Sequence, residues 1–172
     1  MNNSWQTELK QILEHDQIES KGIKKRVSVV GIGNEFNGDD AAGVIIARNL
    51  ISAFEQKKIL NIQVLDAGQF PENITGTLRS FSPKVIIFID AVNMNAKPGF
   101  IAWIPFKMVS GMSASSHSLP ISILADYLSQ DLKCEVYLLG IQAEQNEPFQ
   151  PLSSQVYSAV SEITETLHNS CS

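Results

Sequence analysis

Apolar and polar positions along the chain switch between a helical period and a strand period, and the switches mark its elements. Trp5, Leu9, Ile12 and Leu13 recur at helical spacing, which predicts an amphipathic helix from residue 4 to about 18. Val27 to Gly31 is a short β-branched run ending in glycine, the pattern of a buried strand, and Ala41 to about Phe54 reads as the helix after it. Ile62 to Asp66 predicts a second strand, and Pro71-Glu72 opens a helix with Ile74, Leu78 and Phe81 on one face. Val85 to Asp90 begins with five consecutive apolar residues, as expected at the centre of a sheet. Phe100 to Ile104 is a further strand, Leu119 to about Leu128 a helix, Glu135 to Ile141 a fifth strand, and Leu152 to about His168 a closing helix.

Strands alternating with helices predict an α/β fold. The expected architecture is a five-stranded, mostly parallel twisted sheet with helices on both faces, in three layers. One strand departs from the parallel set. About nine residues, Pro98-Gly99 among them, join Asp90 to Phe100, whereas a parallel crossover needs about a dozen or more. The strand at 100–104 is therefore expected to be antiparallel. Residues 1–22 read as a helical extension and linker, and 26–172 as one domain.

The 172 residues fit a single core, since one domain commonly closes at ~100–200 residues. Thirteen Lys+Arg against eighteen Asp+Glu leave a net charge of −5, which argues against a nucleic-acid partner. The basic run Lys21 to Arg26 reads as a solvated linker. Cys134 and Cys171 are far apart and form no C-x-x-C pair, which excludes a disulfide scaffold or zinc ribbon and suits a reducing compartment. The first twenty residues are polar and charged, unlike a signal peptide, and no apolar run approaches the ~20 residues that span a bilayer. A cytoplasmic protein without membrane insertion is expected. Nothing in the residues fixes an oligomeric state.

Candidate chemistry concentrates in the loop after the first strand, Gly31-Ile32-Gly33-Asn34-Glu35-Phe36-Asn37-Gly38-Asp39-Asp40. A dinucleotide fingerprint would need glycine at position 36, where Phe36 stands. A P-loop would need Lys-Ser/Thr where Asp39-Asp40 stand, so the loop repels phosphate and attracts a cation. One of the two acids, assigned as Asp39, is expected to cap the following helix, which leaves Asp40 for another task. Asp66 and Asp90 end the second and third strands, so both belong on the carboxyl rim of the sheet with Asp40. His117, in the polar loop Ser113 to Ser118, can reach the same rim. Asp40, Asp90 and His117 make an O/O/N set suited to a borderline divalent ion such as Zn²⁺ or Ni²⁺. Two carboxylates ~6 Å apart repel by about 3 kcal/mol at an effective dielectric of 20, which a shared cation or proton relieves. Serine catalysis lacks a G-x-S-x-G elbow. His15 and His168 read as surface residues.

The pattern resembles a known family, the hydrogenase maturation proteases, which remove a C-terminal peptide from the large subunit of NiFe hydrogenases. The matching pieces run in order: Gly31-Ile32-Gly33-Asn34 with Gly38-Asp39-Asp40 and Gly43; Leu65-Asp66-Ala67-Gly68; Pro71-Glu72-Asn73; Ile89-Asp90-Ala91; Ser116-His117-Ser118-Leu119-Pro120; Leu139-Gly140-Ile141-Gln142. The resemblance implies an endopeptidase whose metal-contacting and catalytic residues are Asp40, Asp90 and His117, supported by Asp66, Asp39, Gly33 and Asn34. It implies as substrate a large-subunit precursor that already carries nickel. Either the three side chains ligate that nickel, or a carboxylate acts as general base on water, as in an aspartic-type endopeptidase. Asp40, Pro-Glu-Asn and Gly-Ile-Gln look most like the formate-hydrogenlyase (hydrogenase-three) branch. Two other readings compete: a nucleotide-binding α/β protein with Asp66 on a ribose hydroxyl, and a non-enzymatic, nickel-dependent hydrogenase assembly factor.

Overall fold

The structure, a computed structural model, describes residues 4–14, 25–55, 57, 59–108 and 119–171. Five strands form one sheet in the order β2-β1-β3-β5-β4. They are β1 (Val27–Ile32), β2 (Ile62–Gly68), β3 (Val85–Val92), β4 (Ile101–Trp103) and β5 (Glu135–Gln142). The helices are α1 (Trp5–Glu14), α2 (Ala42–Phe54), α3 (Thr75–Phe81), α4 (Ile121–Leu132) and α5 (Ser154–Cys171). The three-layer α/β expectation holds. β1 and β3 are buried at every position because both faces carry helices, which is why they read as continuous apolar runs.

Alternation along the strands divides the core in two. Val27, Val29, Ile87 and Ile89 pack with α1, α2 and α5, whereas Val30, Ile32, Ile86 and Phe88 pack with α3 and α4. Each helix contributes one stripe: Val156, Ala159, Val160, Ile163 and Leu167 of α5 recur every three or four residues and are buried. Trp5 and Leu9 of α1 belong to the same core as α2 and α5, and the Trp5 indole donates to Glu162 at 3.1 Å. Of the basic run read as solvated, Lys25 has its side chain covered and pairs with Glu135 at 3.6 Å, and Arg26 lies over the Phe81 ring.

β4 is antiparallel, as its short connection requires, and its partner is β5. The connection fixes direction but not neighbour. β5 enters between β3 and β4 and pairs with β3 in parallel from Val85↔Glu135 to Val92↔Gln142. β2 and β3 run two residues past Asp66 and Asp90, and Pro71–Ile74 is a 3-10 turn ahead of α3.

α2 sits unusually close to the sheet. A Cβ on Gly31 would lie 2.0 Å from the Gly43 carbonyl oxygen, and one on Gly43 would lie 2.2 Å from that of Ile89 and 2.4 Å from that of Ile32. Helix and strands touch backbone to backbone, so neither oxygen can yield without moving an element. Gly43→Ala is therefore expected to destabilise the fold by about 2 kcal/mol, as overpacking does, read as a lowered urea midpoint.

Candidate active site

The rim at the carboxyl ends of the strands is set by register. Gly31 of β1 pairs with Asp66 of β2 on one side and with Ile89, the residue before Asp90, on the other. Past β1 the chain turns at Gly33, where φ is +138° and a Cβ would stand 1.7 Å from the Asp40 carbonyl oxygen. Only glycine fits such a conformation and approach. The 3-10 turn Gly38–Ala41 follows and packs on β3, which brings Asp40 to the strand that carries Asp90. Both carboxylates are buried, Asp40 at 2% and Asp90 at 1% exposure. The Asn34 N–H donates to Asp40 Oδ2 at 3.0 Å, so Asn34 orients the carboxylate from within the same loop.

Asp90 shares its face with Ile86 and Phe88, the side on which α4 packs. His117 lies outside the described residues; Leu119 and Ile121, which follow it, pack in the core on that side. Beyond Asp90, Gln142 organises the chain leaving β3. Its Oε1 accepts from the N–H groups of Met94 (2.6 Å) and Ala96 (3.2 Å), and its Nε2 donates to the Ala143 carbonyl at 2.8 Å.

Asp39 does not cap α2. The 3-10 turn stands between loop and helix, the N-cap is Ala41, and no side chain caps it. The Asp39 carboxylate is fully buried and accepts four hydrogen bonds from the far end of the chain. Its donors are the N–H groups of Glu144 (2.8 Å), Gln145 (3.0 Å) and Ser153 (2.7 Å) and the Ser153 hydroxyl (3.0 Å). It fastens the 143–153 loop onto the first loop. Asp66 reaches the rim but turns away from Asp90 toward α2. Arg48 Nε donates to its Oδ2 at 2.7 Å, and the Gly68 N–H to its Oδ1 at 3.0 Å. Arg48 also holds Glu35 at 2.6 Å, which keeps that carboxyl below the usual carboxylate range. Arg48, Gln142 and Ser153 are thus the parts of the site region whose roles the sequence does not announce.

The arrangement favours handling a cation or a water molecule over a phosphate. Two buried carboxylates on touching elements leave the first loop acidic, and Asp66 is occupied by Arg48, not open to a ribose hydroxyl. Burial pushes both free thiols up, that of Cys171 to about 11, so neither is a ready thiolate. Among the described residues no three His, Cys, Asp or Glu side chains converge as a metal site. Carboxylate oxygens of this kind suit hard or borderline cations. A small cleft of about 70 Å³ opens between Asn34, Arg48 and Gln69, while clefts of about 510 and 590 Å³ lie against α1 and β4. No described helix is long and apolar enough to cross a membrane.

Comparison with known proteins bears on family and fold. A family model described as hydrogenase maturation protease (HycI) matches residues 44–170. The hydrogenase 3 maturation protease of Escherichia coli K12 is 31% identical over 137 residues, 79% of this chain and 85% of that protein. A Methanocaldococcus jannaschii protein bearing the maturation-protease name is 33% identical over 147 residues, 83% of this chain and 86% of its own. The crystal structure of the NiFe hydrogenase maturation protease HycI from Thermococcus kodakarensis KOD1 superposes with a TM-score of 0.78 at 26% identity, covering 95% of this chain and 97% of that one. The solution structure of the endopeptidase HycI from E. coli gives 0.73 at 29% identity, over 84% and 90%. By sequence and by fold, the chain belongs to the hydrogenase maturation protease family and is a peptide hydrolase.

Proposed function

We propose that this protein removes the C-terminal extension of a nickel-loaded NiFe hydrogenase large-subunit precursor, in the cytoplasm, and that it serves the hydrogenase-three branch. The observation that carries the reading is the pair of buried carboxylates, Asp40 and Asp90, on elements that touch at one rim. His117 completes the set, two residues ahead of Leu119 in the core on the face that Asp90 takes. Nickel is cargo of the substrate. Asp40, Asp90 and His117 supply donors to it and so place the scissile bond, while a carboxylate takes a proton from the attacking water. Asn34 holds Asp40 in orientation for either task, and Asp66 and Asp39 support the rim through Arg48 and the 143–153 loop. The branch assignment rests on Asp40 together with Pro71-Glu72-Asn73 and Gly140-Ile141-Gln142, and on the likeness to the E. coli hydrogenase 3 protease.

Mixing the protein with nickel-loaded and nickel-free precursor and weighing the products by intact mass spectrometry tests this reading. The nickel-loaded precursor should shorten and the nickel-free one should not. A precursor that binds without ever shortening would instead make the protein an assembly factor.

A further inference from the structure

We propose that the paired rings of Phe36 and Phe149 form a docking contact for an apolar side chain of the precursor, near the bond to be cut. The inference rests on the protease reading above. Both rings stand in water, 58% and 84% exposed, with centroids 6.4 Å apart. Single exposed apolar residues are ordinary, but this pair is built. Phe149 is held at φ +62°, where residues other than glycine are uncommon, and its N–H donates to the Phe36 carbonyl at 2.6 Å. The Asp39 carboxylate anchors the loop that carries Phe149. On the other side, the Phe36 N–H donates to Asn34 Oδ1 at 3.0 Å, and the Asn34 N–H donates to Asp40. Two hydrogen bonds therefore link the ring-bearing residue to the candidate catalytic carboxylate.

Charge selects the occupant. With Asp39 and Asp40 buried and Glu35 paired with Arg48, the exposed charges beside Phe149 are Glu144 and Glu147, and its segment, 143–153, contains no lysine or arginine. A second copy would bring the same acids against themselves, and an anionic membrane would be repelled. An extended segment with an apolar side chain and no acidic neighbours fits. Because the rings would touch a part of the substrate that does not react, they contribute equally to substrate and transition state, so their loss is read in KM and not in kcat.

The test uses the full chain with nickel-loaded, full-length precursor. Phe149→Asn removes a ring while asparagine tolerates the left-handed backbone, and Phe36→Ala removes the other. Leu60→Ala, at an 86% exposed apolar residue ahead of β2 and so at the opposite end of the strands, is the control. Each ring variant should raise KM ~10-fold with kcat nearly unchanged, as loss of a docking anchor does, while Leu60→Ala leaves both as they were. Unchanged KM in both ring variants overturns the proposal, as does a fall in kcat alone. So does a Phe149→Asn variant that dissociates a dimer in sedimentation while KM stays constant. Calorimetric titration of the precursor reads the contact even where no bond is cut. A wild type that binds without cutting fails the protease reading alone, and equal Kd for wild type and ring variants fails the docking contact.

Discussion

Asp40→Asn should leave a folded protein that no longer shortens the nickel-loaded precursor proposed as its substrate. The asparagine oxygen can still accept from the Asn34 N–H, and the side chain fills the same buried space, so the unfolding free energy from urea denaturation should fall by no more than ~1 kcal/mol. Chemistry is affected far more. An amide is a poor ligand and cannot take a proton, and a positioned general base contributes ~10²–10⁴-fold, so cleavage followed by intact mass should fall by that much or more. A helix cap would not behave this way, because asparagine and aspartate serve alike at N-caps. Wild-type rates in Asp40→Asn would remove this residue from the mechanism.

The neighbouring substitution should give the opposite signature. In Asp39→Asn, whichever way the amide turns, its NH₂ faces at least one backbone N–H that now donates to an oxygen. Losing charge-assisted bonds and leaving a buried donor unmatched should cost about 3 kcal/mol. Urea denaturation should show the loss, and amide exchange should rise across 143–153, where the clamp holds. The two outcomes together would divide stability and chemistry between adjacent carboxylates. An Asp39→Asn variant as stable as wild type would show that the clamp carries little weight.

The reasons some of this was legible in the sequence are physical. β3 was plain because a strand covered on both faces must be apolar throughout, so that Asp90 stood out against Val85 to Ile89. Asp40 was plain because two acids stood where a P-loop needs a cation and a hydroxyl. The task of Asp39 was not legible, since three of its four donors are backbone N–H groups, which leave no mark on residue type. Arg48 was hidden because an arginine on a helix looks like any solvated charge until Asp66 and Glu35 are brought beside it. The neighbour of β4 was hidden because connection length constrains direction alone, whereas the pairing depends on β5, more than thirty residues later.

The Asp39 clamp also bears on when the molecule becomes complete. Its partners lie 105, 106 and 114 residues downstream, among the most distant pairings in the chain. Such contacts form late in folding, because the intervening chain must be ordered first. On the ribosome, β1 to α3 can emerge and begin to collapse, but the first loop gains its anchor only once residue 153 has left the exit tunnel. A truncated or stalled chain therefore holds Asp40 and Asp90 without the loop that secures them. The order of synthesis therefore makes the first loop one of the last parts of the fold to be fastened, although it is among the first to be made.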